Sequence, residues 1–211
     1  MKHILLFPFV LFLGVSCVGV ESNYRDAKVS LDRGDYMMAF EKYTKASESG
    51  HVEAQYTLGR MYSLGWGVEQ NQQRAAHWWR QAAEAGHANA QYTLGQIYFF
   101  AKDVPQDYVR AAHWWRQAAE EGHVEAQYNL GEMYEYGWGV PQSAVQAYKW
   151  FSVSEANASN KEIKNRAGND RDDVAQMMSV EQVLEAERLV KERESINLYI
   201  LSPIRSFFSN R

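Results

Sequence analysis

Between Val124 and Tyr136 the apolar residues Ala126, Leu130, Met133 and Tyr134 stand at i, i+4, i+7 and i+8, one stripe of an α-helix. Glu125, Tyr128, Glu132 and Glu135 fall on the opposite side of the same helix. A second pattern runs from Tyr108 to Glu120, where Ala111, Trp114, Trp115, Ala118 and Ala119 make a wide apolar face of alternating small and large residues. Gly137-Trp138-Gly139-Val140-Pro141 closes the first kind of helix and Gly122 the second, with glycine suited to the left-handed closing residue and proline barring continuation. Asn71, Asp107 and Ser143 stand at matched spacing before the second kind of helix, each a good N-cap.

The two patterns form one unit that recurs every 36 residues: Gly50-His51, Gly86-His87 and Gly122-His123; Ala54, Ala90 and Ala126; Tyr56, Tyr92 and Tyr128; Leu58-Gly59, Leu94-Gly95 and Leu130-Gly131; Tyr62, Tyr98 and Tyr134. Residues 75–98 and 111–134 agree at 18 of 24 positions. Such a period marks a stacked array of helix pairs. Gly59, Gly95 and Gly131 lie inside first helices, where each costs about 1 kcal/mol against alanine. Their recurrence implies a ring pressed too close for a methyl, with Trp79, Trp115 and Phe151 as the rings.

The pattern Ala-Gln-Tyr-x-Leu-Gly-x-x-Tyr, then Gly-x-Gly-Val, then Ala-x-x-Trp-Trp-x-x-Ala-Ala-x-x-Gly resembles the Sel1-like repeat, a relative of the tetratricopeptide repeat with a longer intra-repeat loop. The resemblance implies an all-α, right-handed α-solenoid of helix-turn-helix units. Repeats are expected at 51–86, 87–122 and 123–158, after a tetratricopeptide-like unit at 23–50 with Gly34, Asp35, Tyr36, Ala39, Tyr43 and Ala46 in phase. After Asn157 the motif fails. Residues 159–195 read as polar capping helices, Lys161–Gln176 and Val180–Glu194, the second opened by a Ser179/Gln182 capping box. Ala101-Lys102-Asp103 replaces Gly-x-Gly in the middle repeat, so a differently shaped turn is expected there.

Residues 1–22 have the layout of a secretory signal peptide: Lys2, an uncharged apolar run from Ile4 to Val15, then small residues. Leu13-Gly14-Val15-Ser16-Cys17 resembles a lipoprotein lipobox, although Gly14 stands where leucine is usual. Two outcomes are open: Cys17 is lipidated and anchors the chain to a membrane, or it is discarded with the leader. The expected location is therefore the periplasm or cell envelope, or the medium. Residues 196–211 show no clean period and contain Pro203; they read as a loosely docked tail, with a membrane-surface segment and a frayed end as alternatives.

Composition adds two exclusions. The 211 residues carry a net charge of −4, with hydrophobic residues at 46%, which is ordinary for a globular chain. A pI near 5.9 offers no basic footprint for nucleic acid. The single cysteine precludes a disulfide framework, so packing must supply stability. Penicillin-binding or β-lactamase-like activity described for cysteine-rich relatives does not carry over, because their paired cysteines are missing.

All 7 tryptophans lie between Trp66 and Trp150. Trp78, Trp79, Trp114, Trp115 and Trp150 fit between helical layers, whereas Trp66 and Trp138 sit in loops with no packing reason in the pattern. The aligned His51, His87 and His123 do not make a metal site. Packed helices lie about 8–10 Å apart, and a ladder of that rise cannot converge on one ion. His77 and His113 meet the same objection. No nucleophile elbow, phosphate loop or His-Glu-x-x-His is present, so no catalytic residue, metal or cofactor is expected.

In tetratricopeptide relatives the first helices line a concave ligand face. The resemblance carries that role to Glu53, Tyr56 and Arg60; to Asn89, Tyr92, Gln96 and Phe99; and to Glu125, Tyr128, Glu132 and Glu135. The recurrent tyrosine offers contact area at low entropic cost, and the acidic third repeat favours a basic or polar partner. The leading expectation is an exported, non-enzymatic scaffold for a protein or peptide, of open oligomeric state. The alternatives are a cell-wall glycan enzyme or its regulator, and a secreted effector acting on host proteins.

Overall fold

The computed structural model describes the backbone of residues 10–101 and 105–208, with side chains for 19–101, 105–193 and 195. Residues 1–9 of the expected leader lie outside the described residues, as does the side chain of Cys17. Ten helices and no strand occur among the described residues: α1 (Val10–Asp32), α2 (Tyr36–Glu48), α3 (Val52–Leu64), α4 (Gln72–Glu84), α5 (Ala88–Phe99), α6 (Tyr108–Glu120), α7 (Val124–Tyr136), α8 (Ala144–Asn157), α9 (Lys161–Gln176) and α10 (Val180–Phe208). None is long and apolar enough to cross a membrane.

The second helix of each pair begins at 36, 72, 108, 144 and 180. The caps ahead of them are Asp35, Asn71, Asp107, Ser143 and Ser179, whose side chains accept the N–H three residues on. Gln182 returns the bond to the Ser179 N–H and completes the capping box. The 36-residue spacing thus outlasts the sequence motif, and α9–α10 is a further helix pair in register with the others.

Two compact units divide at α5, Met1–Leu94 and Gly95–Arg211. In the first, α1 packs on α2, α2 on α3 and α3 on α4. Ala27, Ala39, Tyr43, Ala46, Ala54 and Met61 are buried there, with Tyr24, Leu31, Phe40 and Trp66 packed around them. In the second, α7 packs on α6 and α8, and α8 on α9 and α10. Its cluster joins Tyr128, Ala147, Phe151, Ala167 and Val174.

The helix-interior glycines meet the rings expected of them. A methyl at Gly59 would come within 2.5 Å of Trp79, one at Gly131 within 2.6 Å of Phe151, and one at Gly95 closer still to Trp115. Trp115 and Phe151 are among the largest fully buried side chains.

The middle turn is described only at its first residue. Ala101 takes the left-handed conformation, φ 54°, that glycine takes at Gly65 and Gly137, φ 72° and 73°. The turn enters with the same backbone on a residue poorly suited to it, while 102–104 lie outside the described residues. Ala101→Gly is therefore expected to stabilise by about 0.5–1 kcal/mol, the left-handed strain relieved less the added unfolded-state freedom. An unchanged or lower urea midpoint would contradict this.

The C-terminal segment departs from expectation. Pro203 does not end regular structure: α10 runs from Val180 to Phe208 without interruption. Pro203 removes one donor, but residues 180–201 contain no glycine of the kind that closes α2, α4 and α6.

Candidate protein-binding face

The recurrent Ala-Gln-Tyr opening builds the first helices onto the pair before them. Gln55, Gln91 and Gln127 are buried, and their amides donate to the carbonyls of Ser47, Ala83 and Ala119 at 3.2, 3.1 and 3.0 Å. Those carbonyls lie at the ends of second helices, where each also accepts the N–H of the closing glycine, Gly50, Gly86 or Gly122. The motif exposes this glutamine to view, but its partner eight residues back emerges only from the turn geometry.

Each aligned histidine is an N-cap. Nδ1 of His51, His87 and His123 accepts the N–H of Ala54, Ala90 and Ala126 at 3.1, 3.2 and 3.3 Å. In the first unit the other ring nitrogen turns to a carboxylate of the preceding first helix, His87 to Glu53 at 2.9 Å and His51 to Glu21 at 3.5 Å. The ring faces stack on tyrosines, His87 on Tyr56 at 4.5 Å and His51 on Tyr24 at 4.1 Å. A neutral imidazole with its proton on Nε2 satisfies both contacts at once. Among the described residues no group of three or more His, Cys, Asp or Glu could hold a metal ion.

Burial lowers the His123 pKa below its ordinary 6.5, against the opposing pull of Glu125. A depressed folded pKa means the unfolded chain binds the extra proton more readily. The stabilisation is therefore complete above pH 6.5 and is lost as pH falls through the window below it. His123→Asn, which caps without titrating there, is expected to flatten this part of the urea-midpoint profile. An unchanged slope would contradict the capping role.

The expected face divides between open and occupied positions. Glu53, Arg60 and Asn89 are exposed, and Tyr56 and Tyr92 are half-buried, all in the first unit. In the second unit Gln96 is half-buried and Glu125 exposed.

Tyr128 is not open to a partner: it is 6% exposed, and α9 covers it. The Arg166 guanidinium lies 4.5 Å over its ring, and its hydroxyl oxygen sits 2.5 Å from Asp170 and 3.1 Å from Glu132, with one proton to donate between them. Burial and these carboxylates push the Tyr128 hydroxyl pKa up. Glu132 also faces Arg166 at 3.6 Å. Glu132 and Glu135 are both pushed above the usual carboxylate range, chiefly by burial. Glu132 is thus directed at α9, which removes it from the argument for a basic partner, whereas the Glu135 carboxylate accepts a hydrogen bond from its neighbour Tyr136. Phe99 departs too, since its ring joins Trp115, Tyr108 and Trp138 at 5.0, 5.1 and 5.5 Å.

The loop tryptophans have packing partners after all. Trp66 stacks on Tyr36 at 5.6 Å, and Trp138 on Tyr108 at 6.1 Å. Gly67 and Gly139 lie directly on the Tyr36 and Tyr108 carbonyls, where a methyl would collide with backbone. Each Gly-Trp-Gly loop is seated on the start of the second helix of the pair before it. Arg60 lies 5.6 Å from the centre of the Trp66 ring.

The Sel1 repeat model matches residues 52–87, 88–123 and 124–154. A Sel1 repeat protein from Oxalobacter formigenes is 37% identical over 61% of this chain and 96% of its own, with a TM-score of 0.58. The chain belongs to the Sel1 repeat family. Membership makes it an α-solenoid protein of the tetratricopeptide-like superfamily, whose repeats serve as protein–protein interaction scaffolds and are generally non-catalytic. A protective antigen present in uropathogenic Escherichia coli strains, displaying the same repeat fold, is 27% identical over 82% of this chain and 45% of its own, with a TM-score of 0.55. Among curated proteins nothing matches this Sel1 repeat chain.

Proposed function

We propose that this Sel1 repeat protein is an exported scaffold that binds a protein or peptide segment on the first-helix face of its N-terminal unit. The observation that carries the reading is the contrast between repeats. Tyr128 is covered by α9, whereas Glu53, Arg60 and Asn89 are exposed beside the half-buried Tyr56 and Tyr92. Carboxylate and guanidinium flank Tyr56 on the same helix, so a polar segment of mixed charge fits better than a purely basic one.

Export rests on the leader-like residues 1–22, and the Escherichia coli antigen is a relative consistent with it. Lipidation at Cys17 would hold the scaffold at a membrane. Affinity capture from envelope extract tests the face, with Arg60→Glu/Asn89→Arg beside the wild type, both substitutions at exposed positions. A partner held by the wild type is expected to be lost at least tenfold from the variant, about 1.4 kcal/mol. Equal capture would place the site elsewhere. Fractionation with a Cys17→Ala control tests location; a cytoplasmic protein retaining residues 1–22 would contradict export.

A further inference from the structure

The last helix pair keeps the 36-residue register but leaves its outer edge bare. Ala144 and Tyr148 of α8 pack against the cluster that α9 supplies through Ala167 and Val174. Their register equivalents in α10 are Val180 and Leu184, which are 72% and 61% exposed, beside Met177 at 73%. The fifth residue of the second helix is at least partly buried in Phe40, Ala76, Ala112 and Tyr148, and exposed only at Leu184. The position where a following first helix would pack is thus present and uncovered.

The chain also carries a segment of the right length. In this register a following first helix would begin near residue 197, but α10 does not turn. The turns after α2, α4 and α6 each use a glycine at positive φ, Gly50, Gly86 and Gly122. Glu194-Ser195-Ile196 offers none, and whereas α8 stops without one, α10 continues to 29 residues against 13 or 14 for α4, α6 and α8. Its overrun, 196–208, matches α3 or α7 in length. Arg193 marks where the ordinary helix ends, donating to the Ala119 and Glu120 carbonyls at 2.9 and 3.1 Å. The overrun reads INLYILSPIRSFF, with Arg205 its sole charged residue. Asp173 and Glu181 stand beside the bare apolar positions and complement that charge, while Glu185 is paired with Arg188.

We infer that residues 196–208 of one copy of this protein cover the Met177, Val180 and Leu184 edge of a second copy, each copy supplying the other with the missing first-helix layer. A continuous helix cannot fold its end back onto its own first turns, which makes exchange between copies the way to bury both surfaces. The contact is isologous, so it closes at two copies.

Light scattering with size-exclusion chromatography on the full chain tests this. The wild type is expected to be a dimer at micromolar concentration. Full-length Val180→Glu/Leu184→Glu, altered only in the edge, and Leu198→Glu/Leu201→Glu, altered only in the overrun, are each expected to be monomers with wild-type circular dichroism. Mixed together, the two variants are expected to form a heterodimer, since one intact edge and one intact overrun remain. A monomeric wild type would overturn the inference, whether or not it binds zwitterionic vesicles through the overrun. A dimer that survives either pair of substitutions would overturn it as well. These results are independent of the partner face, whose residues lie in the other unit.

Discussion

Trp115→Ala is expected to lower stability by about 3–5 kcal/mol, the usual range for deleting a buried tryptophan. Trp115 is 2% exposed, lies on the backbone at Gly95 and meets Phe99 at 5.0 Å. Ring and glycine are a matched pair, so the more specific expectation is a coupling between them. Gly95→Ala alone should cost about 1–3 kcal/mol, because overpacking outweighs the gain in helix propensity. In the Trp115→Ala background the collision is gone, and the same substitution should stabilise by about 1 kcal/mol. Denaturant unfolding of the four proteins measures the coupling; additive effects would mean that the ring does not set the residue at position 95.

Gly139→Ala carries the second large effect. Gly139 has φ 67°, and an added methyl would strike the carbonyl of Tyr108. Left-handed strain and collision with backbone together should cost about 2–5 kcal/mol. Gly137→Ala is the natural comparison: its φ is 73°, but its nearest obstacle is the side chain of Gln142 at 3.3 Å. It should cost only the conformational part, about 1–2 kcal/mol. Because Trp138 leaves Tyr108 when the loop lifts, Gly139→Ala should also shift tryptophan emission to the red, and Gly137→Ala should not. Equal costs would show that the loop is not seated on α6.

Features coded within one helix pair were legible in the sequence. The second-helix caps, the glycine–ring pairs and the start of α10 at Val180 follow from local spacing. What escaped depends on neighbours in another pair. The sequence allows His87 to be a solvated or a capping residue, but its contacts with Glu53 and Tyr56 lie in the preceding pair and are not coded locally. Trp66 and Trp138 lacked partners because Tyr36 and Tyr108 lie one pair earlier. Tyr128 looked equivalent to Tyr56 because the motif is the same, but α9 no longer carries the motif and brings Arg166 and Asp170 to the ring instead. A repeat predicts what its members share; what covers each member is decided by the next helix along.

The most direct measurement of the proposed face is site-specific photocrosslinking in cells, with a benzoylphenylalanine placed singly at Arg60, at Asn89 or, for comparison, at His113 on α6. All three positions are exposed, so each tolerates the probe. A partner bound to the first-helix face of the N-terminal unit predicts the same crosslinked protein from positions 60 and 89 and none from 113. Crosslinking of that protein from 113 alone, or from none of the three, would contradict the account.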